Sequence, residues 1–386
     1  MKLLTYIWRN VRRNKLRSAL TMLSVSFSLA LMTILYGYLT MQNVAEREAA
    51  KYDRVVVLNK MGFAAPLSIA HLERIRKLDG VSAAMPFSWF GGDYKDQRAP
   101  FAQFGVEPNC TFDVFHEYEI PDEQVEAFKR NRQGCVADKE LAEQFEWELG
   151  ERIPLKGTIF PIDLDLKLEG IYEAPVRTGS LLFNFNYLDE ELKKTGGFPA
   201  WVGQIYAKCK VSDEVAFVSE EIDAKFANSE NPTRTRTEAA FQRMFADMLG
   251  DVQAYIRYIS IAVVFALVLV TATAMAMSMR ERTTEVALLK AIGFSQQRVL
   301  LLVLGESTII AILGGLLGIA GGLGALQLLS GVAAAAPLFP VPVSDLAGIW
   351  LAGLVIVAAA IGFTSGVVPA VLAARLSVVN GLRRVV

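Results

Sequence analysis

Residues 258–279 read YISIAVVFALVLVTATAMAMSM, a stretch without a single charged side chain. A helix needs about 20 apolar residues to cross a hydrocarbon core of about 30 Å, and this stretch is long enough. Similar long apolar stretches cover residues 18–40, about 303–331 and about 347–374, and the only charged residue in these three is Glu306. Between the first stretch and residue 258 lies a long, charged and turn-rich segment. The pattern predicts one membrane-spanning helix, a large water-exposed domain, and then three membrane-spanning helices.

The composition is that of a membrane protein. Hydrophobic residues make up 53% of the 386 residues and charged residues 20%, and together with the four long apolar stretches this excludes most soluble enzymes. The predicted fold class is therefore membrane α-helical, with four transmembrane helices and an extracytoplasmic mixed α/β domain between the first two. The predicted segments are a cytoplasmic amphipathic helix (1–17), transmembrane helix 1 with a stalk (18–51), the domain (52–236), a second stalk with transmembrane helix 2 (237–279), a cytoplasmic loop (280–298), transmembrane helices 3 and 4 (299–331 and 347–374) and a cytoplasmic tail (375–386).

Short charged flanks predict the orientation, because long domains cross a membrane largely regardless of their charge. The flank before the first stretch contains only basic charges, and the loop 280–298 and the tail are also rich in arginine. The positive-inside rule therefore places both termini and this loop in the cytoplasm and the acidic domain outside. The first uncharged run is too long for the apolar region of a signal peptide, which favours an uncleaved anchor.

Alternating and helical patterns predict a mixed α/β domain. We expect strands near residues 54–58, 100–106, 135–137, 153–155, 164–172 and 200–209, and helices near 67–78, 139–145 and 213–226. We also expect two parts. Residues 52–107 and 200–230 would form a porter-like part nearer the membrane, and residues 108–199 would form a subdomain inserted into it.

Neither the cysteines nor the histidines form a recognisable reactive site. Cys110, Cys135 and Cys209 are odd in number, so we interpret them as small buried side chains, with a Cys135–Cys209 or Cys110–Cys135 bridge left open. His71 and His116 stand in no metal-binding motif, and the chain has no phosphate-binding loop and no nucleophile motif. We expect no catalytic residue, no metal and no cofactor bound by this chain.

A regular apolar stripe precedes and enters the second span. Its members alternate at spacings of four and three, as in a coiled-coil seam; they are Phe241, Phe245, Met248, Val252, Tyr255 and Ile259. Because residues 237–279 contain no proline, we predict one continuous helix that forms a stalk. Its expected partner is the extension of the first span, with Met41, Ala45 and Tyr52 as contacts. The alternative is an amphipathic helix packed on its own domain.

The third span contains small residues at regular spacing. Gly314, Gly318 and Gly322 repeat every four residues, which predicts close helix packing rather than phosphate binding. Ionisable groups occur only near the span ends, at Glu306 and Arg257, where we expect them to snorkel or to pair locally. The middle of the membrane therefore has no ionisable group, which disfavours an ion-coupled carrier.

The loop 280–298 reads RERTTEVALLKAIGFSQQR. We predict a short helix at residues 283–292, Gly293 as its left-handed terminal residue, and Ser295 as the N-cap of the next helix. A compact capped helix between two spans is a surface to which a soluble motor protein can bind.

This loop, followed by Gly305-Glu306-Ser307 and the glycine-rich span, resembles the signature of MacB/FtsX-type ABC transporter permeases. The end of the chain resembles the family's C-terminal box, from Pro369-Ala370 to Gly381-Leu382-Arg383, although Ser377 and Asn380 stand where acidic residues are usual. Three segments resemble landmarks of the family's outside domain; they are Phe104-Gly105-Val106-Glu107-Pro108-Asn109, Glu169-Gly170-Ile171-Tyr172 and Arg234-Thr235-Arg236-Thr237.

The resemblance implies a permease subunit, not an enzyme, that transmits the movement of a separate ATPase to an extracytoplasmic MacB-like domain (mechanotransmission). The expected role is export or extraction of a substrate at the bacterial inner membrane. The implied partners are a cognate ABC ATPase subunit that uses ATP, a second permease copy or paralogue in a dimer, membrane lipids and an optional periplasmic adaptor protein, with no nucleic acid. The implied ATPase-coupling residues are Arg282, Glu285, Leu288, Leu289, Lys290 and Gly293. The alternative function is an FtsX-like or signalling membrane protein that activates an extracytoplasmic hydrolase or sensor by the same movement.

The orientation leads to a test with cysteine labelling in intact cells, in a chain lacking Cys110, Cys135 and Cys209. We expect Ser295→Cys to be protected from a membrane-impermeant thiol reagent and Asn228→Cys to be labelled, because the flank charges place the two sites on opposite sides. Labelling of Ser295→Cys in sealed cells would contradict the four-span arrangement.

Overall fold

The computed structural model describes residues 15–62, 65–95, 97–98, 100–195, 201–248, 252–330 and 348–379. The predicted amphipathic helix 1–17 and the end of the C-terminal box lie almost wholly outside these residues. The helices are α1 (Lys15–Ala49), α2 (Ile69–Ile75), α3 (Thr111–Val114), α4 (Asp122–Arg130), α5 (Lys139–Phe145), α6 (Phe185–Lys194), α7 (Val215–Phe226), α8 (Glu238–Met248), α9 (Val252–Glu281), α10 (Thr283–Ala291), α11 (Gln296–Ser330) and α12 (Gly348–Arg375). The strands are β1 (Arg54–Asn59), β2 (Val81–Trp89), β3 (Asp93–Tyr94), β4 (Ala102–Val106), β5 (Gly134–Asp138), β6 (Arg152–Lys156), β7 (Asp163–Tyr172), β8 (Ser180–Asn184), β9 (Gln204–Cys209) and β10 (Thr233–Thr237).

Two compact units make up the chain: residues 41–250 form most of one, and the apolar helices on either side of them in the sequence form the other. Within the described residues, four helices are long and apolar enough to span a membrane, namely α1, α9, α11 and α12. The predicted arrangement of one span, a mixed α/β domain and three further spans is confirmed. The predicted continuous helix 237–279 stays a prediction, because residues 249–251 lie outside the described part.

The described strands of the domain form one ten-stranded mixed sheet in the order β10-β1-β9-β2-β4-β8-β5-β7-β6-β3. Most neighbours are antiparallel, while β4 with β8 and β5 with β7 are parallel pairs. The two predicted parts of the domain share this sheet. Strand β4, in the predicted porter-like part, pairs with β8, in the predicted inserted part. Strand β3 of the first part also pairs with β6 of the second.

Both faces of the sheet are covered, and the strands β1, β5 and β8 are buried at every position. In β1, Val55 and Val57 point into one core cluster, and Val56 and Leu58 point into another on the opposite face. Helices α2, α5, α6 and α7 contribute to the first cluster, and α3, α4 and α8 contribute to the second. The run of β-branched residues after Arg54 therefore reflects a strand buried on both faces.

The repeat Thr-Arg-Thr-Arg-Thr of β10 has a simple structural explanation. Alternate residues of a strand share a face, and Thr233 and Thr235 both donate from Oγ1 to Oδ1 of Asp223 on α7, at 2.9 and 2.8 Å. The backbone N–H of Thr235 donates to Oδ2 of Asp223 at 3.0 Å. The threonines thus bind α7 while Arg234 stays exposed.

All three cysteines are free, with Cys135 and Cys209 buried and Cys110 half-buried. The buried-side-chain interpretation describes this structure, and neither of the two bridges left open by the sequence is formed.

The glycines of α11 lie against α1. A Cβ atom on Gly314 would lie 2.8 Å from the carbonyl oxygen of Met22, and one on Gly322 would lie 2.8 Å from that of Ala30. Gly318 faces the carbonyl oxygen of Ser26 in the same way. Glycines at every fourth position of α11 therefore lie against carbonyl groups at every fourth position of α1, so the two backbones pack directly on each other.

The same helix offers a matched pair of substitutions. Gly318→Ala and Gly321→Ala both gain helix propensity of up to about 1 kcal/mol, but among the described atoms only Gly318 has a neighbour within 4 Å. We expect Gly318→Ala to be less stable than Gly321→Ala by about 1–3 kcal/mol, because the added methyl group must push α1 away. Thermal unfolding of the full-length protein in detergent measures the difference, and equal stability of the two variants would contradict the packing described.

Candidate functional site: the coupling helix and the stalk root

The loop after the second span folds into the short helix α10 with defined ends. The N–H of Gly293 donates to the carbonyl of Lys290 at 3.1 Å, and the N–H of Phe294 donates to that of Leu289 at 3.0 Å. Gly293 has a φ of 101°, so this is a Schellman motif, in which glycine takes the left-handed position. The hydroxyl of Ser295 then accepts from the N–H of Arg298 at 3.4 Å, at the start of α11.

Helix α10 has one buried side and one exposed side. Val286 packs in a cluster with Val299 and Val303 of α11 and with Ala370 and Ala373 of α12. On the other side Leu288 is 57% exposed and Ile292 is 68% exposed. These two residues are four apart, so they share a face of the helix and its C-terminal turn.

Arg282 points into the helix bundle, where its Nη1 donates to both carboxylate oxygens of Glu306 at 3.1 Å. Both side chains are less than 9% exposed. A buried charge is stable only when it is paired, so this interaction fixes the start of α10 on α11. The sequence placed Arg282 among residues at the ATPase contact; the structure instead buries it, and Glu306 is the local partner expected near the span end.

Lys290 binds the end of the fourth membrane-spanning helix. Its Nζ donates to the carbonyl oxygens of Ala374 at 2.5 Å and Leu376 at 2.7 Å. The last carbonyl groups of a helix have no partner within it and carry partial negative charge, so an ammonium group there is favourable. Lys290 therefore holds α10 to α12 rather than standing free for a partner.

The predicted coupling residues thus separate into two groups. Leu288 lies on the exposed side, and Gly293 caps the helix. Glu285 and Leu289 are half-buried, and Arg282 and Lys290 anchor the helix. Ile292 was not among the predicted residues, although its spacing of four from Leu288 places it on the same exposed side.

The two chain connections of the domain lie side by side. Strand β1 follows α1, strand β10 runs directly into α8, and Val55 of β1 lies opposite Thr237 of β10. The hydroxyl of Thr237 accepts from the N–H of Ala240 at 3.2 Å and caps α8. We call this region the stalk root: the residues around Arg54, Glu117 and Glu238.

Arg54 is the centre of the stalk root and is 2% exposed. Its Nε donates to Glu238 at 2.7 Å, and its Nη1 and Nη2 bind the two carboxylate oxygens of Glu117 at 2.7 and 2.6 Å. Nη1 also donates to the carbonyl of Val114 at 2.9 Å. One guanidinium group thereby joins the first residue of β1, the first residue of α8 and the segment after α3.

Burial by itself would lower the pKa of Arg54, but the carboxylates of Glu238 and Glu117 outweigh this effect and raise the pKa above its ordinary value. The guanidinium lies over the rings of Tyr52 and Phe115, with distances of 4.7 and 4.8 Å to their centroids. Burial raises the pKa of the Tyr52 hydroxyl to about 12, and a hydrogen bond to Glu48 acts in the same direction.

The predicted stalk residues do not share one environment. Phe241 is buried in the core of the domain, in the same cluster as Val56 and Leu58. Tyr255 is 65% exposed, and the side chains of Phe245, Met248 and Val252 lie outside the described part. The extension of α1 has its own buried face at Met41, Ala45 and Ala49, and Glu46 beside it pairs with Arg243 of α8.

Comparison with known proteins identifies the family. Residues 18–225 match the MacB-like periplasmic core domain, and residues 257–378 match the FtsX-like permease C-terminal region. The chain belongs to the MacB/FtsX family of ABC transporter permeases. Because permeases of ABC transporters work with an ATPase, membership implies a partner ATPase and a location in a membrane.

An uncharacterized ABC transporter permease of Methanocaldococcus jannaschii is 21% identical to this permease, over 99% of this chain and 97% of that protein. Two solved structures are also similar. The periplasmic region of MacB from Actinobacillus actinomycetemcomitans is 14% identical, with a TM-score of 0.38, over 50% of this chain and 93% of that one. The extracellular domain of the noncanonic ABC-type transporter YknZ from Gram-positive bacteria is 12% identical, with a TM-score of 0.36, over 47% and 99%.

The stalk root of this permease leads to a stability test. Arg54→Met leaves two buried carboxylates without their cation, which we expect to cost the domain about 3–5 kcal/mol. Arg132→Met breaks the exposed pair between Arg132 and Glu190 and should cost no more than about 1 kcal/mol. Thermal unfolding of the full-length protein, followed by its tryptophan fluorescence, to which the buried Trp147 contributes, measures both.

A triple variant tests whether the stability lost in Arg54→Met comes from the two unpaired carboxylates or from the changed shape of the side chain. Neutralising both acids in the Arg54→Met background, with Glu117→Gln and Glu238→Gln, should recover part of the lost stability. If Arg54→Met unfolds at the wild-type temperature, the stalk root does not hold the domain together.

Proposed function

We propose that this chain transmits ATP-driven movement from a separate ATPase to its α/β domain, for export or extraction of a substrate at the bacterial inner membrane. The observation that carries the proposal is the two-sided surface of α10. Its inner side packs on α11 and α12, and its outer side presents Leu288 and Ile292. An apolar pair exposed on a short helix between two spans fits the central contact of an interface, where apolar anchors carry most of the binding energy.

Helix α10 can pass a displacement to the membrane helices because two polar anchors hold it. The Arg282–Glu306 pair connects it to α11, and Lys290 connects it to the end of α12. Separating either contact would leave a buried charge or unpaired carbonyl groups, and this opposes movement of α10 alone. Displacement of α10 is therefore more favourable together with α11 and α12.

The other end of the proposed path is the stalk root. Helix α1 has 35 residues, so it is about 50 Å long, well beyond the 30 Å or so of a hydrocarbon core. Its end and the start of α8 attach to adjacent strands, and Arg54 connects them. A relative shift of the two stalks would then act on β1 and β10 together.

The remaining parts of the proposal follow from the family and the charged flanks. The ATPase partner uses ATP, and this chain holds no cofactor of its own. Both termini and α10 lie in the cytoplasm, and a second permease copy or a paralogue completes the transporter. A periplasmic adaptor protein is an optional further partner.

The docking role of α10 is tested with Leu288→Asp. The loss of an apolar anchor at an interface commonly costs 2 kcal/mol or more, so we expect at least about 30-fold weaker binding of the ATPase. The measurement is co-purification of the cognate ATPase with full-length permease, at equal permease level in the membrane.

The matched control is Gln297→Asp, which adds the same charge at an exposed position outside α10. It should retain the ATPase, since acidic residues are favourable near a helix start. Wild-type recovery of the ATPase with both Leu288→Asp and Ile292→Asp would show that the motor binds elsewhere.

A further inference from the structure

A lateral groove of about 660 Å³ lies between the membrane-spanning helices α1, α9 and α12. Its walls are apolar and include Val264 and Val268 of α9 and Val357 of α12. Ile261 and Phe265 stand at its side and are 61% and 65% exposed. None of the described side chains that line it is charged, so the groove fits an apolar ligand rather than an ion.

One polar group in the groove lacks a partner. Ser260 is 3% exposed, and among the described residues its hydroxyl forms no hydrogen bond. A serine or threonine hydroxyl within a helix usually donates to the carbonyl four residues earlier. Thr33, Thr40 and Thr364 of this bundle do so, at 2.7, 2.8 and 2.8 Å. The Ser260 hydroxyl is therefore a donor available to a molecule in the groove.

The position of Ser260 along α9 matches the headgroup level of a membrane. Ser260 lies near the end of α9 that follows the α/β domain in the sequence, next to Arg257 and Tyr258, which are both exposed. Tyrosine and arginine at such an end are typical of the membrane interface. From Ser260 to Val268 the helix rises about 12 Å, close to half of a 30 Å hydrocarbon core. The groove thus extends from the interface towards the middle of the membrane.

We propose that this groove binds one acyl chain of a membrane phospholipid from the leaflet on the side of the α/β domain. The acyl chain lies along Val264 and Val268, and an ester carbonyl oxygen of the lipid accepts a hydrogen bond from the Ser260 hydroxyl. The phosphate lies beside Arg257, which is three residues from Ser260 and on the same side of the helix. Along α9, the apolar walls, the Ser260 hydroxyl and Arg257 follow one another in the same order as the acyl chain, the ester group and the phosphate of a phospholipid.

Photo-cross-linking in vesicles tests this site. Full-length permease is reconstituted in phosphatidylcholine vesicles that contain phosphatidylglycerol with a photoreactive acyl chain, and the labelled peptides are identified by mass spectrometry. We expect label within residues 257–268 and 357–364. Ala360→Trp fills the groove and should reduce this label to background. Leu269→Trp, at a position 51% exposed and outside the groove, should leave it unchanged.

Two further pairs test the polar contacts. Ser260→Ala should lower the label roughly threefold, by the value of one hydrogen bond, whereas Thr364→Val removes a hydroxyl already bonded within its helix and should not. Arg257→Gln should remove the preference for phosphatidylglycerol over photoreactive phosphatidylcholine. If neither Ser260→Ala nor Arg257→Gln changes the amount of label or the lipid preference, the assigned polar contacts are wrong.

Equal label in the wild type and in Ala360→Trp would overturn the site. So would an efficient disulfide between two copies carrying Phe265→Cys, because a second copy of the chain would then occupy the groove. Neither measurement involves ATP or transport, so its failure leaves the proposed role of α10 untouched. Loss of ATPase binding in Leu288→Asp likewise says nothing about the lipid.

Discussion

The pairing of β1 with β10 is the constraint on which the rest of the domain depends. It brings the strand that follows the first membrane-spanning helix next to the strand that precedes the second, with Val55 opposite Thr237. The other eight described strands of the sheet lie between β1 and β10 in the sequence. Arg54 begins β1, and its two carboxylate partners, Glu117 and Glu238, lie 63 and 184 residues further along the chain. Such distant partners make the closure a property of the folded domain, not of any local segment.

The membrane helices are held by a different kind of contact. In the hydrocarbon core there is little hydrophobic gain from bringing helices together, so close packing of small residues takes its place. Helix α11 meets α1 through Gly314, Gly318 and Gly322, and α12 meets α11 through Gly362 and Gly366, which face Ser307. Polar anchors occur where α10 meets the bundle. The glycine contacts set distances between helices, while the anchors of α10 set its orientation on them.

Local signals in the sequence predicted the local features. The four spans, the helix at residues 139–145, and α10 with its glycine and serine caps all depend on periodicity and capping within a few residues of one another. Strand β8 and helix α6 were missed because Asn184 is both the last residue of the strand and the cap of the helix, with no turn between them. The inward direction of Arg282 could not be predicted either, since Glu306 becomes its neighbour only when α10 folds back on α11. Periodicity of α8 predicted an apolar stripe but left open whether it packs on a second stalk or on its own domain, and Phe241 packs in the core of the domain.

The three free thiols of the domain are poorly placed to react while the domain is folded. Burial raises the pKa of Cys110 to about 12 and that of Cys209 to about 11, and the pKa of Cys135 is also well above its ordinary value. Only the thiolate form reacts readily with oxidants and disulfides, so these sulfurs are chemically quiet. Disulfide exchange and oxidation at these three positions are therefore slow as long as the domain stays folded.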